Sequence, residues 1–298
     1  MKIRMTEEED HISNEEEVGK KDHLDEISRY FVNEVILYEK RPAEARQMMG
    51  DWYPIHYDET RFVLGFLHRS FENIAERFKK ENGRKPVFLD LGSGDGLVPV
   101  VAQDTGMFAK SYGVELREGL NTAARGYVRR FEDKQILPKD SVELHRGSYY
   151  LNKYWNAIKT RWLGRNSDQI FSESPFERWS VGMTLGVGSM GITGEEIIQK
   201  INEPNIDALT DNGLIGKDGK LKADIIYWYP SDTFAEDGMI EQWQNIIRPG
   251  AYLVLGPSKQ ATDMIDEGFL KAEFEHVTTY ADNSIKYVPS LLFVYRKK

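Results

Sequence analysis

The sequence predicts an α/β protein built on a doubly wound sheet, and three observations carry that prediction. Residues 87–96, Val-Phe-Leu-Asp-Leu-Gly-Ser-Gly-Asp-Gly, join an apolar strand to a glycine turn that opens a helix. Further apolar runs at 111–116, 141–146, 223–230, 251–256, 274–280 and 290–295 are strand-like, most of them separated by helical patterns, as in a chain of βαβ units. The first of these, SYGVEL, carries Glu115, about twenty residues beyond the glycines, the spacing at which an acidic side chain accepts from ribose hydroxyls.

Taken in order, the chain starts with an acidic leader. Residues 1–20 hold seven acids against three bases, and so charged and apolar-poor a stretch cannot offset its ordering entropy, so 1–22 reads as a mobile tail. Residues 23–84 form an N-terminal helical segment. Its first helix runs over Leu24 to Met49, with Ile27, Tyr30, Phe31, Val35, Ile36 and Tyr38 on one face. After a loop at Gly50 to Tyr57, Asp58 is an N-cap for a second helix in which Leu64, Leu67, Phe71, Ile74 and Phe78 recur at three- and four-residue steps. Asn82-Gly83 stops it. The next strand, Val87 to Leu91, is apolar on both faces, as a central parallel strand must be. Gly92, Gly94 and Gly96 let the backbone turn and approach a ligand closely. The helix Leu97 to Phe108 then presents its unpaired N–H groups to that ligand.

Asp90-Leu-Gly92-Ser93-Gly94-Asp-Gly96 followed by Glu115 resembles the first two motifs of class I S-adenosylmethionine-dependent methyltransferases. Dinucleotide dehydrogenases carry a related glycine pattern, but the acid at Asp90 and the spacing of Gly94 and Gly96 resemble the methyltransferases more. The resemblance implies a Rossmann-like seven-stranded sheet with an antiparallel last strand, and S-adenosylmethionine as cofactor. It implies a cofactor site of Asp90, Gly92, Ser93, Gly94, Gly96, Glu115 and Leu116, with Ser148 and Tyr149 at the adenine and Tyr227 beside the sulfonium. Residues 85–148 and 223–298 match the family's core, including Arg248-Pro249-Gly250 before the fifth strand and a closing hairpin at the end of the chain.

The fourth strand ends in Tyr227-Trp228-Tyr229-Pro230-Ser231-Asp232, where amine methyltransferases carry an Asn/Asp-Pro-Pro-aromatic run; the proline and aromatics are kept and the amide is not. Tyr227, Tyr229 and Asp232 are the catalytic candidates, because a sulfonium is favoured by aromatic faces and an amine must lose its proton. With the Tyr53-Pro54 loop upstream, the pattern resembles the Dot1-like and carrier-type protein-lysine methyltransferases. The acceptor expected is therefore an amine, on protein lysine or a small molecule. Small-molecule O-methylation and a non-catalytic adenosylmethionine-binding scaffold are the alternatives.

Between the third and fourth strands lie 74 residues, Tyr149 to Lys222, too many for an ordinary connection. This 149–222 insertion starts with Leu151, Trp155, Ile158 and Trp162 on one helical face and Lys153, Lys159, Arg161 and Arg165 elsewhere. It then carries a second glycine run, Gly186-Val-Gly188-Ser-Met-Gly191, read as a substrate lid, and a Thr193/Glu196 capping box. Asp211-Asn-Gly213 and Lys217-Asp-Gly219 read as turns.

Composition sets outer limits. There are no cysteines, which excludes disulfides, thiolate zinc sites and a cysteine nucleophile. The six histidines, His11, His23, His56, His68, His145 and His276, have no metal-ligand spacing, so no metal is expected. A net charge of −9 disfavours nucleic-acid binding. No run approaches the roughly 18 apolar residues of a membrane span and the acidic first residues do not read as a signal peptide, so a cytoplasmic protein is expected.

Overall fold

The computed structural model describes residues 23–30, 60–184, 191–229, 239–256, 273–282 and 291–298. Residues 23–30 form helix α1. Then come α2 (Thr60–Asn82), β1 (Val87–Leu91), α3 (Leu97–Asp104), β2 (Lys110–Glu115), α4 (Glu118–Asp133) and β3 (Val142–Arg146). Four helices precede the next strand: α5 (Asn152–Ile170), α6 (Pro175–Thr184), α7 (Gly194–Ile201) and the short α8 (Ala208–Asp211). β4 (Ile225–Trp228), α9 (Met239–Ile246), β5 (Tyr252–Leu255), β6 (Phe274–Ala281) and β7 (Leu291–Lys297) complete the chain.

The strands form one seven-stranded sheet in the order β3-β2-β1-β4-β5-β7-β6. β1 to β5 pair in parallel, and β7 runs antiparallel to both neighbours, β5 and β6. This is the expected Rossmann-like sheet with an antiparallel last strand. The sheet grows outward in one direction from β1 through β2 to β3 and in the other from β4, so β1 and β4 flank the switch point. Their carboxyl ends open the crevice where such sheets bind ligands.

Alternation along each strand feeds two cores. Leu89, Leu91, Val114, Ile226, Trp228, Leu253 and Leu255 enter one, while Phe88, Ile225, Tyr227, Tyr252 and Val254 enter the other. Both faces are therefore dry, which is why residues 87–91 are apolar at nearly every position. α2, α3 and α4 cover the second core together with Ile27 of α1. Tyr30 of α1 packs edge-on against Tyr127 and Phe131 and accepts from Arg130 Nη1 at 2.6 Å.

The first core is covered by α9 and by the insertion: Ile158, Trp162, Ile170, Val181, Ile197 and Ile201 are buried in the same cluster as Leu89 and Trp228. The described part of 149–222 thus packs on the sheet as a layer of this core. The glycine run expected to form a substrate lid has residues 185–190 outside the described set. Residues 1–22, the rest of the Leu24 to Met49 helix, Asp58 and the helix expected near Lys259 lie outside it as well.

Local signals explain the element ends. Gly83 takes φ +70° and its N–H returns to Lys79 O, closing α2. α3 stops at Asp104, earlier than its apolar pattern suggests, because Thr105 Oγ1 bonds back to Ala102 O at 2.7 Å and Gly106 turns at φ +69°. Thr193 and Glu196 form the reciprocal capping box of α7. At the amino edge of the sheet, buried Asp224 accepts from Arg84 Nη1 and Nη2 at 2.7 Å each, Arg248 Nη2 at 2.6 Å and Val87 N at 2.9 Å. One carboxylate so joins the approaches to β1, β4 and β5.

Candidate active site

The glycine turn lies at the carboxyl end of β1. Gly92, Gly94 and Gly96 all have left-handed φ, at +80°, +53° and +78°, a region L side chains enter only with strain. The three differ in what surrounds them. A Cβ on Gly96 would come within 2.9 Å of Ala124 Cβ and 3.0 Å of Leu144 Cδ1, so this glycine lets α4 and β3 close on the turn. A Cβ on Gly94 would meet nothing within 4 Å among the described residues. Gly94 faces open space, and a ligand can reach its backbone.

Glu115 stands opposite, at the end of β2, and is buried. Gly94 N–H donates to its Oε2 at 2.9 Å, and Arg117 N–H donates to its Oε1 at 2.8 Å. A carboxylate offers about four acceptor positions, so each oxygen keeps room for one more donor, the demand a vicinal diol makes. Burial raises the Glu115 pKa, and the N–H groups of Arg117 and Gly94 pull it back. Asp95, whose Oδ1 accepts from Leu97 N–H at 3.1 Å, is pushed up to about 7 by burial, with Glu115 adding to the rise. Asp90, 2% exposed, is held well above the ordinary carboxylate range by burial and by the charges of Glu115 and Asp95. Three carboxyl groups this close favour a cationic ligand. Among the described residues no group of acids and histidines has the arrangement to hold a metal ion.

Ser93 turns inward: its Oγ is buried without a hydrogen-bond partner among the described residues and lies against Gly113, where a Cβ would approach it to 2.7 Å. Leu116 does the reverse and leaves half its surface exposed, at 50%, one residue beyond Glu115. An apolar side chain kept wet beside the carboxylate is suited to the face of a base.

Ser148 follows β3. Its N–H donates to Ile206 O at 2.7 Å, its carbonyl accepts from Ala208 N–H at 3.0 Å, and its Oγ accepts from Tyr150 N–H at 2.9 Å. These bonds fix the loop, and they engage the side chain expected at the adenine. Tyr149 projects toward the turn, with Cε1 3.7 Å from where a Cβ on Gly92 would stand.

Tyr227 pairs in register with Asp90 and is 4% exposed, edge-on to Phe71 at 5.7 Å. Burial, then the Asp90 charge, raise its phenol above the tyrosine range. Tyr229, half-buried at the strand end, is also raised by burial. Its ring covers Gly256, where a Cβ would come within 2.4 Å of Tyr229 Cδ2. Asp232, with Pro230 and Ser231, lies outside the described residues.

The structure also brings in residues that the sequence does not flag. Buried Asp207 caps α8 through Thr210 N–H at 3.0 Å and accepts from Asn152 N–H at 3.1 Å. The Asp-x-x-Thr spacing is a cap signal that could have located it. Gln242 of α9 is fully buried against the 149–151 loop; a single glutamine in a helical window gives no such warning.

No protein-family model matches the chain, and no curated protein matches it. Solved structures do. The magnesium protoporphyrin IX methyltransferase of Synechocystis PCC 6803, solved with bound S-adenosylmethionine, is 10% identical, with 93% of this chain and 97% of that one aligned and a TM-score of 0.43. The ribosomal protein L11 methylase of Lactobacillus delbrueckii subsp. bulgaricus is 11% identical over 82% and 80% of the two chains, with a TM-score of 0.41. An rRNA methylase of Streptococcus thermophilus is 12% identical over 80% and 95%, with a TM-score of 0.37. All three scores fall below 0.5, so the functional reading rests on this chain's own residues.

Proposed function

We propose that the chain is an S-adenosylmethionine-dependent methyltransferase whose acceptor is an amine, on a protein lysine or a small molecule. One observation carries the reading: the buried Glu115 carboxylate, fixed by Gly94 and Arg117 N–H beside an open glycine turn, keeps an acceptor position on each oxygen for a ribose diol. Leu116 and Tyr149 supply apolar surface for a base, and Gly92 and Gly94 admit the ligand to the backbone. Burial and mutual repulsion hold Asp90 and Asp95 above the ordinary carboxylate range, and a bound sulfonium or ammonium group would favour their charged forms and be favoured by them in return. Bound there, S-adenosylmethionine would supply an electrophilic methyl group open to in-line displacement.

The remaining side chains divide the work of handling the acceptor. A phenol raised by burial stays protonated at neutral pH, so neither Tyr227 nor Tyr229 is a proton acceptor; Tyr227 packs the strand end against Phe71, and half-buried Tyr229 serves as the ring face and oriented dipole. Asp232 is the residue we assign to take the proton from the amine. The aromatic run Tyr227-Trp228-Tyr229-Pro230 is what supports an amine over other acceptors.

Calorimetric titration with S-adenosylmethionine, S-adenosylhomocysteine and NAD tests the cofactor; binding of the first two and not the third is expected, and the reverse would replace the assignment with a dehydrogenase. Turnover on amines, lysine peptides, phenols and RNA then tests the acceptor. Methylated phenol or RNA in place of amine would move the acceptor assignment, and binding with no turnover on any would leave a scaffold.

A further inference from the structure

Gln242 makes two hydrogen bonds to one loop. Its Nε2 donates to Tyr149 O at 2.9 Å and its Oε1 accepts from Leu151 N–H at 2.9 Å. A neighbouring strand in parallel pairing would bond the same carbonyl and the same N–H, so the side-chain amide substitutes for a backbone peptide on either side of Tyr150. At neutral pH the planar amide offers a donor and an acceptor in that arrangement where an ionised carboxylate offers acceptors alone, and both groups are enclosed, since Gln242 has no exposed surface.

The loop so held is the one that faces the turn. Gly147 N–H bonds to Glu115 O at 2.9 Å, so the start of the loop is pinned to the strand that carries the proposed ribose acceptor. Asn205 Nδ2 bonds to Tyr150 O at 2.7 Å. Tyr149 itself lies beside Gly92 and has its ring 6.2 Å from Trp243, the residue after Gln242. Trp243 in turn is 5.9 Å from Trp228 at the end of β4. Gln242 therefore joins the loop after β3, on the base side, to the helix that follows β4, on the acceptor side.

We infer that Gln242 is a positioning residue that sets Tyr149 against the cofactor turn and thereby fixes the affinity of the site for its adenosyl ligand. The inference rests on the cofactor reading above. Three variants of the full chain test it by calorimetry with S-adenosylhomocysteine, with melting temperature followed in parallel. Gln242→Leu, which removes both bonds, should weaken binding about tenfold or more. Tyr149→Ala should weaken it too, and the double variant should be little worse than the weaker single, because one residue acts through the other. Gln242→Glu should bind poorly at pH 8 and recover relative to wild type at pH 5.5, since a protonated carboxyl again donates to the Tyr149 carbonyl.

Additive losses in the double variant, or a mutant-to-wild-type ratio for Gln242→Glu that does not change with pH, would overturn the positioning role. If Gln242→Leu does not fold, the pH series of Gln242→Glu decides alone. A wild-type chain that binds no adenosyl ligand would remove the cofactor reading and this inference with it; a wild-type chain that binds, with variants that bind equally well, would remove only the inference.

Discussion

At the scale of single residues, Glu115 has two roles that can be separated. It accepts from two backbone N–H groups of its own chain and, in our reading, from the ribose of the cofactor. Glu115→Ala should weaken adenosylmethionine by about 1 to 3 kcal/mol, the range for a charge-assisted hydrogen-bond pair, as measured by calorimetry. Glu115→Gln should not restore it, because the amide nitrogen would face an N–H donor where the carboxylate now accepts. Asp95 gives a second prediction. A carboxyl raised in the folded chain binds its proton more tightly there than in the unfolded chain, so its contribution to stability is complete below about pH 4. That contribution is lost as pH climbs through about 7. Urea denaturation of the cofactor-free protein should show stability falling across that window, Asp90 and Glu115 adding in the same direction, and Asp95→Asn should flatten the fall.

At the scale of elements, the strand-turn-helix unit that opens with β1 contains glycines of two kinds, and substitution should distinguish them. Gly96→Ala would drive a methyl into Ala124 and Leu144, so it should cost about 1 to 3 kcal/mol of folding stability, as overpacking does. Gly94→Ala meets no atom of the described residues and should cost mainly the left-handed strain of about 1 to 2 kcal/mol, yet it should abolish cofactor binding by filling the approach. Melting temperature and calorimetry on the pair check both. This unit was legible in the sequence because glycine, strand and acid signals are local and coincide within residues 87–115. The capping box of α7 and the stop at Gly83 were legible for the same reason. What escaped were contacts between distant segments: the pairing of Ser148 with Ile206 and Ala208, and the bridge from Gln242 to Tyr149. No spacing rule links residues so far apart in the chain. Tyr227 shows a further limit, since an aromatic at a strand end reads alike whether it lines a channel or, as here, packs on Phe71.

At the scale of the whole molecule, the amino and carboxyl edges of the sheet have different duties. The Asp224 cluster ties strand starts far from the turn. Asp224→Ala should lower stability by roughly 1.5 to 3 kcal/mol, since it orphans the Val87 N–H and releases two guanidinium partners, while leaving the adenosyl affinity of the surviving folded protein unchanged. A shift in affinity would mean that the two edges communicate. No helix among the described residues is long and apolar enough to cross a membrane, and their buried apolar side chains divide between the two sides of the sheet. That division bears on how the chain can be altered. Ile158, Trp162 and Ile197 belong to the same cluster as Leu89, so excising the stretch between β3 and β4 would strip much of one flank of the sheet to water, leaving only α9 of the described helices on it, and give a sticky, collapsing remnant. Any trimmed or swapped version of this protein must bring its own oily slab to that flank before its chemistry can be asked about at all.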